Sequence, residues 1–109
     1  MVDQPIDGHT DLLHGVAIAG DATDATLAVD LLAAHDPDLV VVVAGARPHL
    51  APIHEQTWES FSMNWHTDVR ITFDFAKAAL RQPLRPGSKV IMFSSGAALF
   101  GSPMSGGYA

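Results

Sequence analysis

The sequence predicts an α/β fold in which strands of a parallel sheet alternate with helices, in the order β-α-β-α-β. Three observations carry that expectation. Residues 39–43 are five consecutive branched apolar side chains, the mark of an interior parallel strand covered on both faces. Residues 57–81 repeat apolar side chains at steps of three and four, a helical period over a length no strand reaches. Residues 90–93 are a further apolar run that breaks abruptly into Ser94, Ser95 and Gly96. Strands and helices in alternation imply a parallel sheet with right-handed crossovers.

Taken in order, residues 1–13 are polar, with Pro5, Gly8 and three aspartates, and read as an irregular end. Residues 15–19 are short and apolar, bounded by Gly20 and Asp21, and predict the first strand. Thr23 or Asp24 is the expected N-cap of a helix over residues 25–35. There Leu27, Leu31, Leu32 and Ala34 fall at helical spacing. The Asp36-Pro37 pair ends it, since the residue before proline is pushed out of the α region.

Residues 39–43 form the second strand and stop at Ala44-Gly45-Ala46. Residues 47–56 carry two prolines and make a loop. In the long helix, Trp58, Phe61, Trp65, Val69, Phe73, Ala76 and Leu80 step along one apolar face, with Trp58, Phe61 and Trp65 expected in the core or at a subunit interface. Arg70, Asp74, Lys77 and Arg81 lie on another face, with Arg70 and Asp74 at i,i+4 spacing. A continuous helix over residues 57–81 would be roughly 37 Å long. Pro83, Pro86 and Gly87 terminate it, and residues 90–93 are the third strand.

Composition narrows the classes of function. The chain has 109 residues and can hold one domain with a modest core. Hydrophobic residues make up 48% and charged residues 17%. That is few charges for an independent soluble domain, so part of the surface is expected to be covered by further chain or by a partner subunit. The net charge of −6 argues against a nucleic-acid or anionic-membrane surface. Without cysteine there are no disulfides or thiolate metal sites. No apolar run approaches a membrane span, and no signal-peptide pattern opens the chain. A cytoplasmic setting is the default. Six scattered histidines show no metal-site spacing, so no metal is expected.

The residues that carry chemistry gather at the end of the chain. In the run SSGAALFGSPMSGGYA, Ser95 and Tyr108 stand thirteen residues apart, a strand-end hydroxyl followed by a phenol across a small-residue loop. This resembles the short-chain dehydrogenase/reductase family, with Gly101 and Pro103 also fitting its loop. Asp21, after the first strand, looks like the family's aspartate on the adenine side of the dinucleotide. It would serve equally as a cap for the following helix. Ala44 and Gly45 look like the tail of an Asn-Asn-Ala-Gly motif, but the asparagine positions hold Val42 and Val43. The side-chain hydrogen bonds that would brace the sheet there are therefore missing. The family's helix asparagine matches Asn64 within Met63-Asn64-Trp65, while counting back from Phe73 points to Asp68.

The resemblance covers residues 14–109 and implies a partial, Rossmann-like three-layer NAD(P)-binding domain. Its implied cofactor is NAD or NADP and its implied substrate a small carbonyl or secondary alcohol, with homo-oligomers expected for a full-length member. In that role Ser95 would hold the substrate oxygen and Tyr108 would exchange its proton. Asn64 would be the third catalytic group, and Asp21, Ala44 and Gly45 would face the cofactor. A phenol is a poor base near neutral pH. The family's lysine, four residues beyond the tyrosine, activates it by opposite charge. No G-x-G-x-x-G run occurs in the sequence. The expectation is therefore an internal piece that lacks the first βαβ unit and the C-terminal strands, inactive alone. Two other readings stay open: a non-catalytic α/β binding or assembly module, and the epimerase/dehydratase-type extended relatives.

Overall fold

The computed structural model describes residues 15–109, so the irregular end expected over residues 1–13 lies outside the described residues. The elements run α1 (Ala25–His35), β1 (Leu39–Val42), α2 (Trp58–Asn64), α3 (Arg70–Arg81), β2 (Lys89–Met92) and α4 (Ala97–Phe100). The expected α/β class holds, and the sheet is parallel. β1 and β2 pair in register from Leu39 with Lys89 to Val42 with Met92. The pairing continues past the strand, where Phe93 N–H donates to Val42 O at 3.1 Å.

α1 starts where the local chemistry directs it. Asp24 is the N-cap and accepts from the N–H and the hydroxyl of Thr26 at 3.0 and 2.8 Å, which satisfies an otherwise orphaned helix donor. The helix ends at Asp36, in the left-handed region with φ 40°, whose N–H returns to Leu32 O. Pro37 prevents continuation. Arg85, just before β2, bonds Asp36 O at 3.0 Å and Asp38 Oδ1 at 2.8 Å. It thereby ties the start of β1 to the approach to β2.

The long helix is not continuous. Thr57 and Ser60 close a capping box at its start, with bonds of 3.1 and 3.0 Å. Between α2 and α3, residues Trp65–Val69 form a π turn. On α3 the buried side chains are Ile71, Asp74, Phe75 and Ala78, and not Phe73, Ala76 and Leu80. Trp58 is 74% exposed, Trp65 64%, Phe73 59% and Leu80 81%. The expected Arg70–Asp74 pair is present at 3.8 Å.

The core comprises Ala22, Ala28, Leu32, Val42, Ile71, Phe75 and Ala78, with Leu31, Val40, Ala44, Ala79 and Leu84 packed around it. α3 lies against both α1 and β1. Burying side chains the size of Ile71 and Phe75 stabilises by about 1.5–3 kcal/mol each.

One expected strand is missing from the sheet. Residues 15–20 form no ladder, because β1 and β2 pair only with each other. Val16 and Ile18 instead face β1 across a cavity of about 520 Å³, lined also by Leu31, Leu32, Ile71 and Phe75. Nor is β1 covered on both faces as expected: Leu39 and Val41 are exposed, as is Val43 just beyond it.

Candidate functional site

Both strands deliver their carboxyl ends to one place. The turn after β1 (Val43, Ala44, Gly45, Ala46) and the residues after β2 (Phe93, Ser94, Ser95) line a cavity of about 630 Å³. The π turn and α3 add Asp68, Val69 and Thr72, and the end of the chain adds Tyr108 and Ala109. In parallel sheets this crevice, beyond the carboxyl ends of the strands, is where ligands bind.

Ser95 is half-buried and Tyr108 is exposed at the cavity surface. Ser95 Oγ accepts from Ala97 N–H at 3.2 Å, at the start of α4. That bond occupies a lone pair and leaves the hydroxyl proton to be donated elsewhere. Tyr108 is placed by backbone contacts. Ala109 N–H donates to Ser105 O at 2.9 Å, and Gly107 packs directly on the Phe61 carbonyl. Among the described residues neither hydroxyl proton has an acceptor.

Asn64 is buried, 4% exposed, at the last position of α2. Its Nδ2 donates to Ala46 O at 2.8 Å and to Asp68 Oδ2 at 3.0 Å. Asp68 Oδ1 in turn accepts from Ala46 N–H at 2.7 Å. Asp68 lines the cavity, whereas Asn64 lies behind it. A Cβ at Gly45 would come within 2.8 Å of Asp68 Oδ1, so the protein itself uses the space that this glycine leaves open.

Asp21 is not among the cavity's lining residues. Its Oδ1 accepts from the Thr23 hydroxyl at 2.6 Å and from Thr23 N–H at 2.9 Å. The side-chain bond first, and the backbone bond second, hold its carboxyl below the ordinary aspartate range. Among the described residues no group of His, Cys, Asp or Glu could hold a metal ion.

Of the six residues singled out from the sequence, the structure thus gathers Ala44, Gly45, Ser95 and Tyr108 around one cavity. Asn64 supports that cavity from behind, and Asp21 is occupied by its own turn. Sequence reasoning underweighted Ala46 and Asp68. The signal was there in the i,i+4 spacing of Asn64 and Asp68.

No family model and no curated protein matches the sequence. Solved structures do match. A short-chain dehydrogenase/reductase, glucose/ribitol dehydrogenase, from Brucella melitensis superposes with a TM-score of 0.76 at 22% identity, covering 90% of this chain and 43% of that one. An NAD+-bound xylitol dehydrogenase gives 0.70 at 18% identity, covering 86% and 39%. A short-chain dehydrogenase from Shigella flexneri 2a str. 301, complexed with NADP, gives 0.69 at 20% identity, covering 86% and 43%.

The fold is that of the short-chain dehydrogenase/reductases.

The chain spans about two fifths of the length of these three structures. Within that span, the short-chain dehydrogenase/reductase fold accounts for the parallel pairing of β1 with β2 and for a cavity at their carboxyl ends. The residues fit one end of a dinucleotide. Small side chains at Ala44 and Ala46 leave room beside the strand ends, and two hydroxyls stand ready to donate. The described residues offer no glycine-rich phosphate cradle to match the other end.

Proposed function

We propose that this chain carries the substrate-facing part of an NAD(P)-dependent short-chain oxidoreductase acting on a carbonyl or secondary alcohol. The observation that supports it is the meeting of Ser95 and Tyr108 on one cavity at the ends of both strands. A bound nicotinamide, from NAD or NADP, supplies the hydride acceptor or donor. Ser95, its lone pair engaged by Ala97 N–H, donates its proton in a hydrogen bond to the substrate oxygen. Tyr108 gives its phenolic proton to that oxygen in reduction and takes it back in oxidation. Asn64 holds the cavity wall through Ala46. Ala44 and Gly45 would border the cofactor's reactive end, and Asp21 would stand on its adenine side. The substrate is a small molecule, and the setting proposed is cytoplasmic. No helix among the described residues is long and apolar enough to cross a membrane.

The test is a titration of the chain with NADH and with NADPH, followed by ¹H–¹⁵N spectra. Shifts at residues 43–46, 94–95 and 107–109, with a smaller one at Asp21, are expected, with weak affinity because the sequence holds no G-x-G-x-x-G run. Shifts absent at millimolar nucleotide, or centred on α1, overturn the proposal. Catalytic turnover by these 109 residues alone is expected to stay near the uncatalysed rate.

A second reading, an assembly module, draws on the exposed aromatic face of the long helix, Trp58, Trp65 and Phe73. The same face supports self-association in an enzyme. A defined oligomer on size-exclusion chromatography combined with no response to nucleotide favours the module, and a response to nucleotide favours the oxidoreductase.

A further inference from the structure

The loop that carries Tyr108 is held to the rest of the fold at few points. Among the described residues, a single hydrogen bond ties residues 101–109 to another segment: Ala51 N–H donates to Met104 O at 2.7 Å. The loop's other bonds are its own. Ser105 N–H donates to Ser102 O at 3.3 Å, Ala109 N–H to Ser105 O at 2.9 Å, and the Ser102 and Ser105 hydroxyls pair. Met104 stands four residues before Tyr108, too far along the chain for its one bond to fix the phenol. The nearer hold is Phe61. Its carbonyl packs on Gly107, and a Cβ at Gly106 would meet its Cε2 at 3.8 Å, so the edge of its ring lies alongside Gly106. The carbonyl would be there with any residue at this position of α2, but the ring is particular to phenylalanine. Beside that ring is Trp58, three residues earlier and on the same face of α2. The two centroids are 6.1 Å apart with the planes tilted by 30°, within the roughly 4.5–7 Å range of attractive aromatic pairs. Trp58 is largely exposed, so the pair runs from the surface of α2 to the tyrosine loop.

We propose that Phe61 is a positioning residue for Tyr108: its ring and carbonyl form the seat on which Gly106 and Gly107 rest, and Trp58 steadies the ring. Three features support it. Two successive glycines meet the same residue, and the glycine next to the tyrosine meets it most closely. Both anchors of the loop are mounted on the start of α2, because Gln56 joins them: its Nε2 donates to Ala51 O at 3.0 Å, and its Oε1 accepts from Ser60 Oγ at 2.8 Å. Phe61 is also half-buried and outside the hydrophobic core, so its ring serves the loop and not the centre of the fold. The consequence for catalysis, the presentation of the phenol on the cavity it shares with Ser95, rests on the oxidoreductase reading. The contact itself can be tested without nucleotide or turnover.

The experiment follows the Tyr108 ring resonances, unique because the chain has one tyrosine, and amide exchange at Ala51 and Ala109, in the whole 109-residue chain and its variants. In the parent a nuclear Overhauser contact between the Phe61 ring and the Gly106 Hα protons is expected. Phe61→Ala should shift the Tyr108 ring signals toward random-coil values and speed exchange at Ala51 and Ala109 about tenfold, as the loop opens locally. Phe61→Leu, which keeps most of the bulk, should recover most of both. A side chain with only a general structural role would instead disturb core signals such as the Ile71 and Leu32 methyls, which are expected to stay in place. Trp58→Ala should speed the same exchange severalfold, the scale of one aromatic pair. Trp65→Ala, an equally exposed tryptophan without a ring partner among the described residues, should change neither probe. The proposal is overturned if the parent shows no Phe61–Gly106 contact, if a folded Phe61→Ala leaves the Tyr108 signals unmoved, or if Trp58→Ala and Trp65→Ala act alike. Should Phe61→Ala fail to fold, the parent contact and the comparison of the two tryptophan variants decide the matter. A chain that shows this seat but no response to nucleotide would count against the oxidoreductase reading alone.

Discussion

Gly107 stands so close to the carbonyl of Phe61 that any side chain at 107 would collide with the backbone of α2. This contact places Tyr108. The backbone of α2 cannot yield as a flexible side chain can, so the loop must move instead.

Gly107→Ala should therefore displace the loop and cost about 1–3 kcal/mol, the usual range for overpacking. Urea unfolding of the variant beside the parent chain measures the cost, and the Tyr108 ring resonances report the displacement. Gly106→Ala is the control. Its Cβ would meet only Phe61 Cε2 at an ordinary 3.8 Å, and little change is expected.

Asp24→Ala removes the cap of α1. Two bonds to Thr26 are lost, and a stability loss of about 1 kcal/mol is expected in urea, typical of a lost N-cap. Asp24→Asn keeps an acceptor and should recover most of it.

Asp21 titrates below its ordinary value because the Thr23 hydroxyl and N–H bond its charged form. A folded-state value below the unfolded one means that its contribution is present above the unfolded value. It fades as pH falls through the folded value. Thr23→Val should bring the Asp21 carboxyl back toward the ordinary range, read from its ¹³C shift against pH. An unchanged titration would show that the threonine is not the cause.

Asp74 is buried on the core face of α3, and its Oδ2 has no hydrogen-bond partner. Arg70 Nε stands 3.8 Å away, near enough for attraction and too far for a hydrogen bond. Asp74→Ala should then be neutral or stabilising by about 1 kcal/mol, since it removes a desolvated, poorly paired charge. Arg70→Ala should destabilise, because it leaves that charge alone. Thermal melts of both variants and of the double variant separate the two effects.

Much of the scaffold was legible in the sequence. The apolar runs at residues 39–43 and 90–93 became β1 and β2, and Asp24 and Pro37 bound α1 as their chemistry requires. The face of the long helix was not legible. A π turn advances the chain by one extra residue, which rotates the pattern downstream by about 100° relative to an uninterrupted helix. Trp58 and Trp65, before and at that turn, are exposed just as Phe73 and Leu80 are after it, so most of the stripe's large side chains face outward and the core falls on Ile71, Phe75 and Ala78 instead. Residues 15–19 failed as a strand for a different reason. Their apolar pattern suits a sheet, but the ladder needs a neighbour, and local composition says nothing about who that is. At the site, hydroxyl spacing pointed to Ser95 and Tyr108. The Asp68–Ala46–Asn64 hydrogen bonds join positions that only the folded turn brings together.

The open space beside β1 bears on how the chain answers to temperature. Apolar surface that water already reaches in the native state adds nothing to the heat capacity of unfolding. Leu39, Val41 and Val43 lie in that category, and no large side chain among the described residues is wholly enclosed. The heat-capacity increment should thus fall below the roughly 12–15 cal/mol/K per residue of ordinary domains. A flatter stability curve follows, with a shallow maximum and a melt spread over a wide interval.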